Sequence, residues 1–183
     1  MSSASLWLSH LEGTFPEHLS IDDFHFVEEY EHHLAEVATR KVEPRPKLAE
    51  IKAKLASLGY GGIDVALAVG GLGKSPLVQM LIQFASGYHD VDFRDVAHIA
   101  HGRMILRHAS DGQRNRWLHR ILSGELVGIA ATEKHGGSNL YAIKTTAVRG
   151  GDGKWSLSGE KCWISRIYEA SVFVVFFQSR ERY

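Results

Sequence analysis

The chain has 183 residues, 44% of them apolar and 23% charged, and its 21 basic and 21 acidic side chains cancel to a net charge of zero. That length suffices for one domain, or for one domain and part of another, and at zero net charge no basic excess argues for nucleic acid or an anionic membrane. A single cysteine, Cys162, excludes an intramolecular disulfide and a cysteine-based zinc site. Met1 to Thr14 hold no basic stretch followed by an apolar core, and no apolar run approaches about 18 residues. The expectation is a cytoplasmic protein.

Ser20 can cap a first helix from Ile21 to about Arg40, with Phe24, Val27, Leu34 and Val37 near one face and Glu28, Glu29 and Glu31 on the other. Pro44 and Pro46 break it. A second helix runs from Pro46 to Leu58, with Leu48, Ile51, Leu55 and Leu58 at helical spacing and Gly59 as its stop. Gly62 to Gly70 reads as a strand or a loop. Ser75 and Pro76 start a third helix whose stripe is Leu77, Met80, Leu81 and Phe84. A fourth spans Phe93 to His108. A fifth, Asp111 to Ser123, carries Trp117, Leu118, Ile121 and Leu122 on its apolar face and ends at Gly124. Beyond Gly124 the helical period gives way to a strand period, which sets a domain boundary there: residues 1–124 helical, residues 125–183 β.

In the β-region the short apolar stretch Ala130-Ala131-Thr132-Glu133 leads into the turn Lys134-His135-Gly136-Gly137-Ser138-Asn139. Thr145-Thr146-Ala147 and the segment Gly153 to Gly159 read as two strands joined by a Gly-Asp-Gly turn. Lys161-Cys162-Trp163-Ile164-Ser165 follows as the end of a strand, on which Cys162 reads as a packing residue. The strongly apolar strand Val172 to Phe177 comes last.

In this order and spacing, the stretch from about Gly124 to Val175 resembles the central β-domain of the acyl-CoA dehydrogenase family of flavoproteins. That family's pattern is a strand ending in Thr-Glu-Pro, a Gly-Ser-Asp turn and a hairpin carrying Gly-x-Lys-x-Trp-Ile-Thr or Ser. Arg116 to Glu125 is similar to the family's last helix before the flavin strand, and Gly70-Gly71-Leu72-Gly73 to a turn between its helices. The resemblance implies an α+β chain: an N-terminal all-helical domain, then an incomplete antiparallel β-domain. It implies FAD as cofactor, bound by Ile129, Ala131, Thr132, Gly137, Ser138, Trp163, Ile164 and Ser165, with Ser138 also touching the acyl substrate. Trp163 would give the flavin ring a flat apolar contact, while Ser165 and backbone groups near Ala131 and Thr132 would meet its polar edge. Gly136 and Gly137 would leave the turn's amides open to a diphosphate.

The activity implied is α,β-dehydrogenation of an acyl thioester carried by coenzyme A or a carrier protein. The family's catalytic base belongs to a C-terminal helical region that nothing here matches, so no catalytic residue is assigned and the isolated chain is expected to be inactive. Partners would be the substrate and either a second copy, as a homo-oligomer, or a complementary chain bearing the helical bundle. A truncated or split homologue that only binds a partner, and a related flavin oxidase or monooxygenase, are the other readings. The sequence departs from the family at Ile129, at Lys134 in place of proline, at His135, at Asn139 in place of aspartate and at Arg166. Losing the proline is expected to loosen the turn.

Four competing signals remain. Ala68 to Ser75 fits a relaxed phosphate-binding loop, although Pro76 removes an amide donor that phosphate would use. Among eleven histidines, His32-His33 and the pair His98 and His101 invite a metal, but no third ligand has suitable spacing. Glu133 reads as a hydrogen-bond acceptor shaping its turn, with a general base as the alternative. Trp163 reads as a flavin contact, with a core position as the alternative.

Overall fold

The computed structural model describes residues 6–11, 14, 17–37, 47–91 and 97–180. The break at Pro44 and Pro46, the last turn toward Arg40 and the beginning of the fourth expected helix at Phe93 lie outside them. The chain divides into two compact units, Met1–Leu126 and Val127–Tyr183.

The first unit is helical: α1 (Leu6–Ser9), α2 (Ile21–Val37), α3 (Leu48–Leu55), α4 (Pro76–Tyr88), α5 (Gly102–His108) and α6 (Asp111–Leu122). The Ser20 hydroxyl accepts from the Asp23 amide at 3.1 Å and starts α2. Phe24, Val27, Tyr30 and Leu34 form the buried side of α2, which packs against α4 and α3. Glu31 is buried with them rather than facing solvent, because it stands one turn beyond Val27. It is tolerated there since its Oε1 accepts from the Trp7 indole at 2.9 Å and lies 3.1 Å from His89 Nε2.

α3 runs on through a π turn, Ala56–Tyr60, and Gly59 breaks it at φ 95°. Gly62 to Gly70 is no strand. It folds into turns and one 3-10 turn, Leu67–Val69, with Ile63 and Val65 buried. In α4 the inward residues are Val78, Leu81, Ile82 and Ala85, while Met80 and Phe84 are 57% and 55% exposed. The expected stripe was out of phase because α4 is apolar on several sides, which leaves its period ambiguous. α5 begins at Gly102, not Phe93. Ahead of it Ala97, His98 and Ile99 are buried outside any helix, with the Ile99 amide donating to Asp64 Oδ1 at 3.1 Å. His98 and His101 therefore do not share a helix face.

Ser110 and Gln113 cap α6 reciprocally. Of its expected apolar face, Ile121 is buried and Trp117, Leu118 and Leu122 are half-buried. Gly124 follows at φ 105°, where a Cβ would stand 2.8 Å from the Ala53 Cα, so glycine is required by both backbone and space.

The second unit contains β1 (Val127–Ala130), β2 (Thr146–Arg149), β3 (Trp155–Ser158), β4 (Val172–Val175) and β5 (Gln178–Arg180). β2 and β3 form the expected antiparallel hairpin, closed by the Gly150 amide on the Lys154 carbonyl at 2.8 Å. Elsewhere the strands run parallel: β1 with β4, in the register Val127 to Val172, and β2 with β5. The α+β class with helices first is the observed architecture, but its strand directions are mixed rather than antiparallel. The apolar run Val172 to Phe177 serves two sheets. It pairs with β1 as far as the Phe176 amide on the Ala130 carbonyl, at 3.1 Å, and Gln178 then joins β2 through the Thr145 carbonyl at 2.9 Å.

Lys161 to Ser165 is not a strand. One backbone bond, Cys162 amide to Thr132 carbonyl at 3.0 Å, holds it, and positive φ at Trp163 (55°) and Arg166 (65°) turns the chain away from an extended path. Among the described residues no helix is long and apolar enough to cross a membrane.

Candidate functional site

β1 delivers Ile129 and, just past its end, Ala131 and Thr132, all half-buried. The chain then turns at Lys134 and His135, closed by reciprocal backbone bonds between Glu133 and Gly136. Gly137 packs so closely that a Cβ on it would lie 2.9 Å from Thr132 Oγ1, whereas a Cβ on Gly136 would meet nothing within 4 Å. Ser138 is exposed. The Asn139 side chain accepts from the Tyr141 amide at 3.1 Å and starts a 3-10 turn, Leu140–Ala142.

The second half of the motif meets the first at Thr132, through the Cys162 amide. Trp163 follows with its ring 88% exposed and its backbone left-handed, which excludes a core position. A bulky residue held at such a φ costs about 1–3 kcal/mol, a strain that concentrates at functional sites. Ile164 is half-buried and Ser165 exposed. The structure thus brings Ala131, Thr132, Gly137 and the start of the Cys162 to Ser165 segment together. Among the described residues, no hydrogen bond or ring contact links Trp163 or Ser165 to Ser138.

Glu133 organises this region. Its carboxylate accepts from the Lys144 amide (2.8 Å), the Thr145 amide (2.8 Å), the Thr145 hydroxyl (2.5 Å) and the Lys161 ammonium (2.9 Å). The Thr145 hydroxyl first, then the Lys161 ammonium and the two amides, hold the carboxyl far below the ordinary carboxylate range against an opposing burial effect. A group so held is a poor proton acceptor near neutral pH, which favours the turn-shaping role over a general base. Thr145 and Lys161 were missed as members of this cluster. The available signal was one isolated lysine beside a Cys-Trp pair in an otherwise apolar motif.

The phosphate-loop signal fails on geometry. In the glycine-rich segment the amides of Gly70, Gly71, Leu72, Gly73 and Lys74 all donate to backbone carbonyls between Ile63 and Leu67, or to Gly62, at 2.7 to 3.1 Å. No cradle of free amides remains for a phosphate. Lys74 instead reaches Asp23 at 3.0 Å and covers the Phe26 ring at 4.1 Å, while Ser75 caps α4. Among the described residues, no three His, Cys, Asp or Glu side chains gather to hold a metal.

The profile of the acyl-CoA dehydrogenase N-terminal domain matches residues 24–125, and that of the acyl-CoA dehydrogenase middle domain matches residues 128–183. The chain belongs to the acyl-CoA dehydrogenase family. It is 31% identical over 129 residues to (2S)-methylsuccinyl-CoA dehydrogenase of Cereibacter sphaeroides, covering 69% of this chain and 23% of that protein. It is 31% identical over 144 residues to acyl-CoA dehydrogenase FadE12 of Mycobacterium tuberculosis, covering 77% and 37%. Among solved structures, acyl-CoA dehydrogenase complexed with FAD from Bacillus anthracis superposes with a TM-score of 0.69 at 26% identity, covering 90% of this chain and 30% of that one. The chain therefore spans well under half the length of these acyl-CoA dehydrogenases.

The donor chemistry of the region suits such a cofactor. Among the described residues, nothing accepts a hydrogen bond from the Gly137 or Ser138 amides, the Ser138 or Ser165 hydroxyls or the Trp163 indole. Open amides beside a glycine turn suit a diphosphate, and an exposed indole beside a free hydroxyl suits a flat ring with a polar edge.

Proposed function

We propose that this chain carries part of the FAD site of an acyl-thioester dehydrogenase. The observation that carries the reading is Trp163: a large aromatic ring left 88% exposed on a left-handed backbone, one residue from the bond that ties Cys162 to Thr132. When bound, FAD supplies the electron sink for α,β-dehydrogenation of the acyl group.

The family resemblance gives the roles of the chain's own residues, and their chemistry is compatible with them. Trp163 offers its face to the ring, with Ile129 and Ile164 as apolar neighbours. Backbone groups of Ala131 and Thr132 and the Ser165 hydroxyl meet the ring's polar edge. The Gly137 and Ser138 amides hold the diphosphate, and Ser138 also touches the acyl substrate. Glu133 moves no proton, because four donors already occupy its oxygens. The family resemblance assigns the base that removes the α-proton to no residue of this site.

Replacement of Trp163 by alanine in FAD-loaded protein tests this. The visible flavin spectrum is expected to shift as the ring loses its aromatic contact. An unchanged spectrum and affinity would remove Trp163 from the site, and the site with it.

A further inference from the structure

Lys161 belongs to a segment without regular structure, yet its side chain is only 8% exposed. Its ammonium donates to the Ala131 carbonyl at 3.1 Å and to Glu133 Oε1 at 2.9 Å, and the next residue donates its amide to the Thr132 carbonyl at 3.0 Å. Two consecutive residues thus make three hydrogen bonds to three consecutive residues, Ala131, Thr132 and Glu133. The acceptor side is itself rigid, since the Glu133 carboxylate is fixed by the Lys144 and Thr145 amides and the Thr145 hydroxyl. Burying an ammonium and a carboxylate together gains little stability over a well-packed apolar pair, and the best-attested use of such a pair is to fix one register.

What is registered here is informative. The clamp lies between the two groups of residues assigned above to the flavin: Ala131, Thr132, Gly137 and Ser138 on one side, Trp163, Ile164 and Ser165 on the other. Resting on that assignment, we infer that Lys161 is a positioning residue which, through Glu133, sets the spacing between the two halves of the flavin site without touching the flavin. The ion pair replaces the strand pairing that this segment lacks: one backbone bond alone would leave Trp163 free to swing on a loop, whereas three bonds fix its origin.

Cys162, the only cysteine, sits within the clamp and is half-buried, so its rate of reaction with a coloured disulfide reagent reports whether the clamp is closed. The experiment uses the full chain, Lys161→Arg, Lys161→Met and the double variant Glu133→Gln with Lys161→Met. The double variant keeps the charges balanced if the single loss of the ammonium prevents folding. Each protein is measured for melting temperature, thiol reaction rate without FAD, and FAD affinity.

The double variant is expected to fold, to expose Cys162 to reaction about tenfold faster and to bind FAD about tenfold more weakly, while Lys161→Arg retains most of both properties. The double variant removes one positive and one negative charge together, so a faster reaction reports opening of the clamp rather than a change in local net charge. A folded double variant with thiol rate and FAD affinity within about twofold of the parent overturns the inference. So does a raised thiol rate with unchanged FAD affinity, which would leave a clamp that positions nothing. If the parent chain binds no FAD, the flavin assignment fails and the positioning role fails with it, while the thiol rates still show separately whether the clamp exists.

Discussion

The backbones of Glu133 and Gly136 exchange two hydrogen bonds, each 3.0 Å long, and so close the turn that holds Lys134 and His135. His135 adds a bond from its Nε2 to the Ala142 carbonyl at 2.9 Å. The turn is thus fixed without the proline that the family pattern has at position 134, against the expectation of a looser loop. Restoring it by Lys134→Pro should change stability by less than about 1 kcal/mol, because turns favour proline there and the exposed Lys134 to Glu160 pair contributes little. Urea unfolding checks this, and a loss above about 2 kcal/mol would mean that the Lys134 amide or φ is needed as it is.

Glu133 gives the chain a defined acid sensitivity. Its carboxyl is held below its ordinary value of 4.5 in the folded state, so the unfolded chain binds the proton more readily and stability rises with pH. The contribution is complete above that ordinary value and is lost progressively as pH falls below it toward the depressed folded value. Unfolding midpoints from pH 7 down to pH 2.5 should fall less steeply for Glu133→Gln than for the parent. Parallel curves would mean that the carboxyl is not preferentially ionised in the folded protein.

Trp163→Gly should separate stability from binding. Glycine relieves a left-handed backbone at φ 55° and removes a ring that is 88% exposed, so the flavin-free chain should gain about 1 kcal/mol. The same change should weaken FAD binding. A loss of stability would show that the indole packs against the protein in solution.

In the helical unit, Tyr30 and Ser86 form a buried hydroxyl pair at 2.8 Å, and the Ser86 hydroxyl also donates to the Ile82 carbonyl at 2.8 Å. Burial pushes the Tyr30 hydroxyl well above its ordinary range despite that partner. Tyr30→Phe leaves Ser86 satisfied and should cost about 1 kcal/mol, whereas Ser86→Ala strands the Tyr30 hydroxyl and should cost about 1–3 kcal/mol. Chemical denaturation of both variants decides, and the reverse order would show that water reaches the tyrosine.

The helices were legible where one signal dominated. Ser20 and Gly59 marked where helices start and stop because a side-chain cap and a left-handed φ act within a single turn. α4 starts where expected, at Pro76 after the Ser75 cap, but not in the expected phase, since its surplus of apolar residues fits several faces. The parallel pairing of β1 with β4 was not legible, because alternation along a strand carries no information about the direction of a neighbour. In the candidate site, the glycine turn and Trp163 stood out by residue type. The Thr145 and Lys161 partners of Glu133 did not, because hydrogen bonds between positions 12 and 28 residues apart leave no local pattern.

The central claim, that these residues form part of an FAD site, is tested most directly by titrating FAD with the purified chain and following quenching of flavin fluorescence. Saturable one-to-one binding is expected, weakened by about tenfold or more in Trp163→Ala, a loss of about 1.4 kcal/mol or more. Absence of saturable binding by the parent chain, or equal binding by Trp163→Ala, would contradict it.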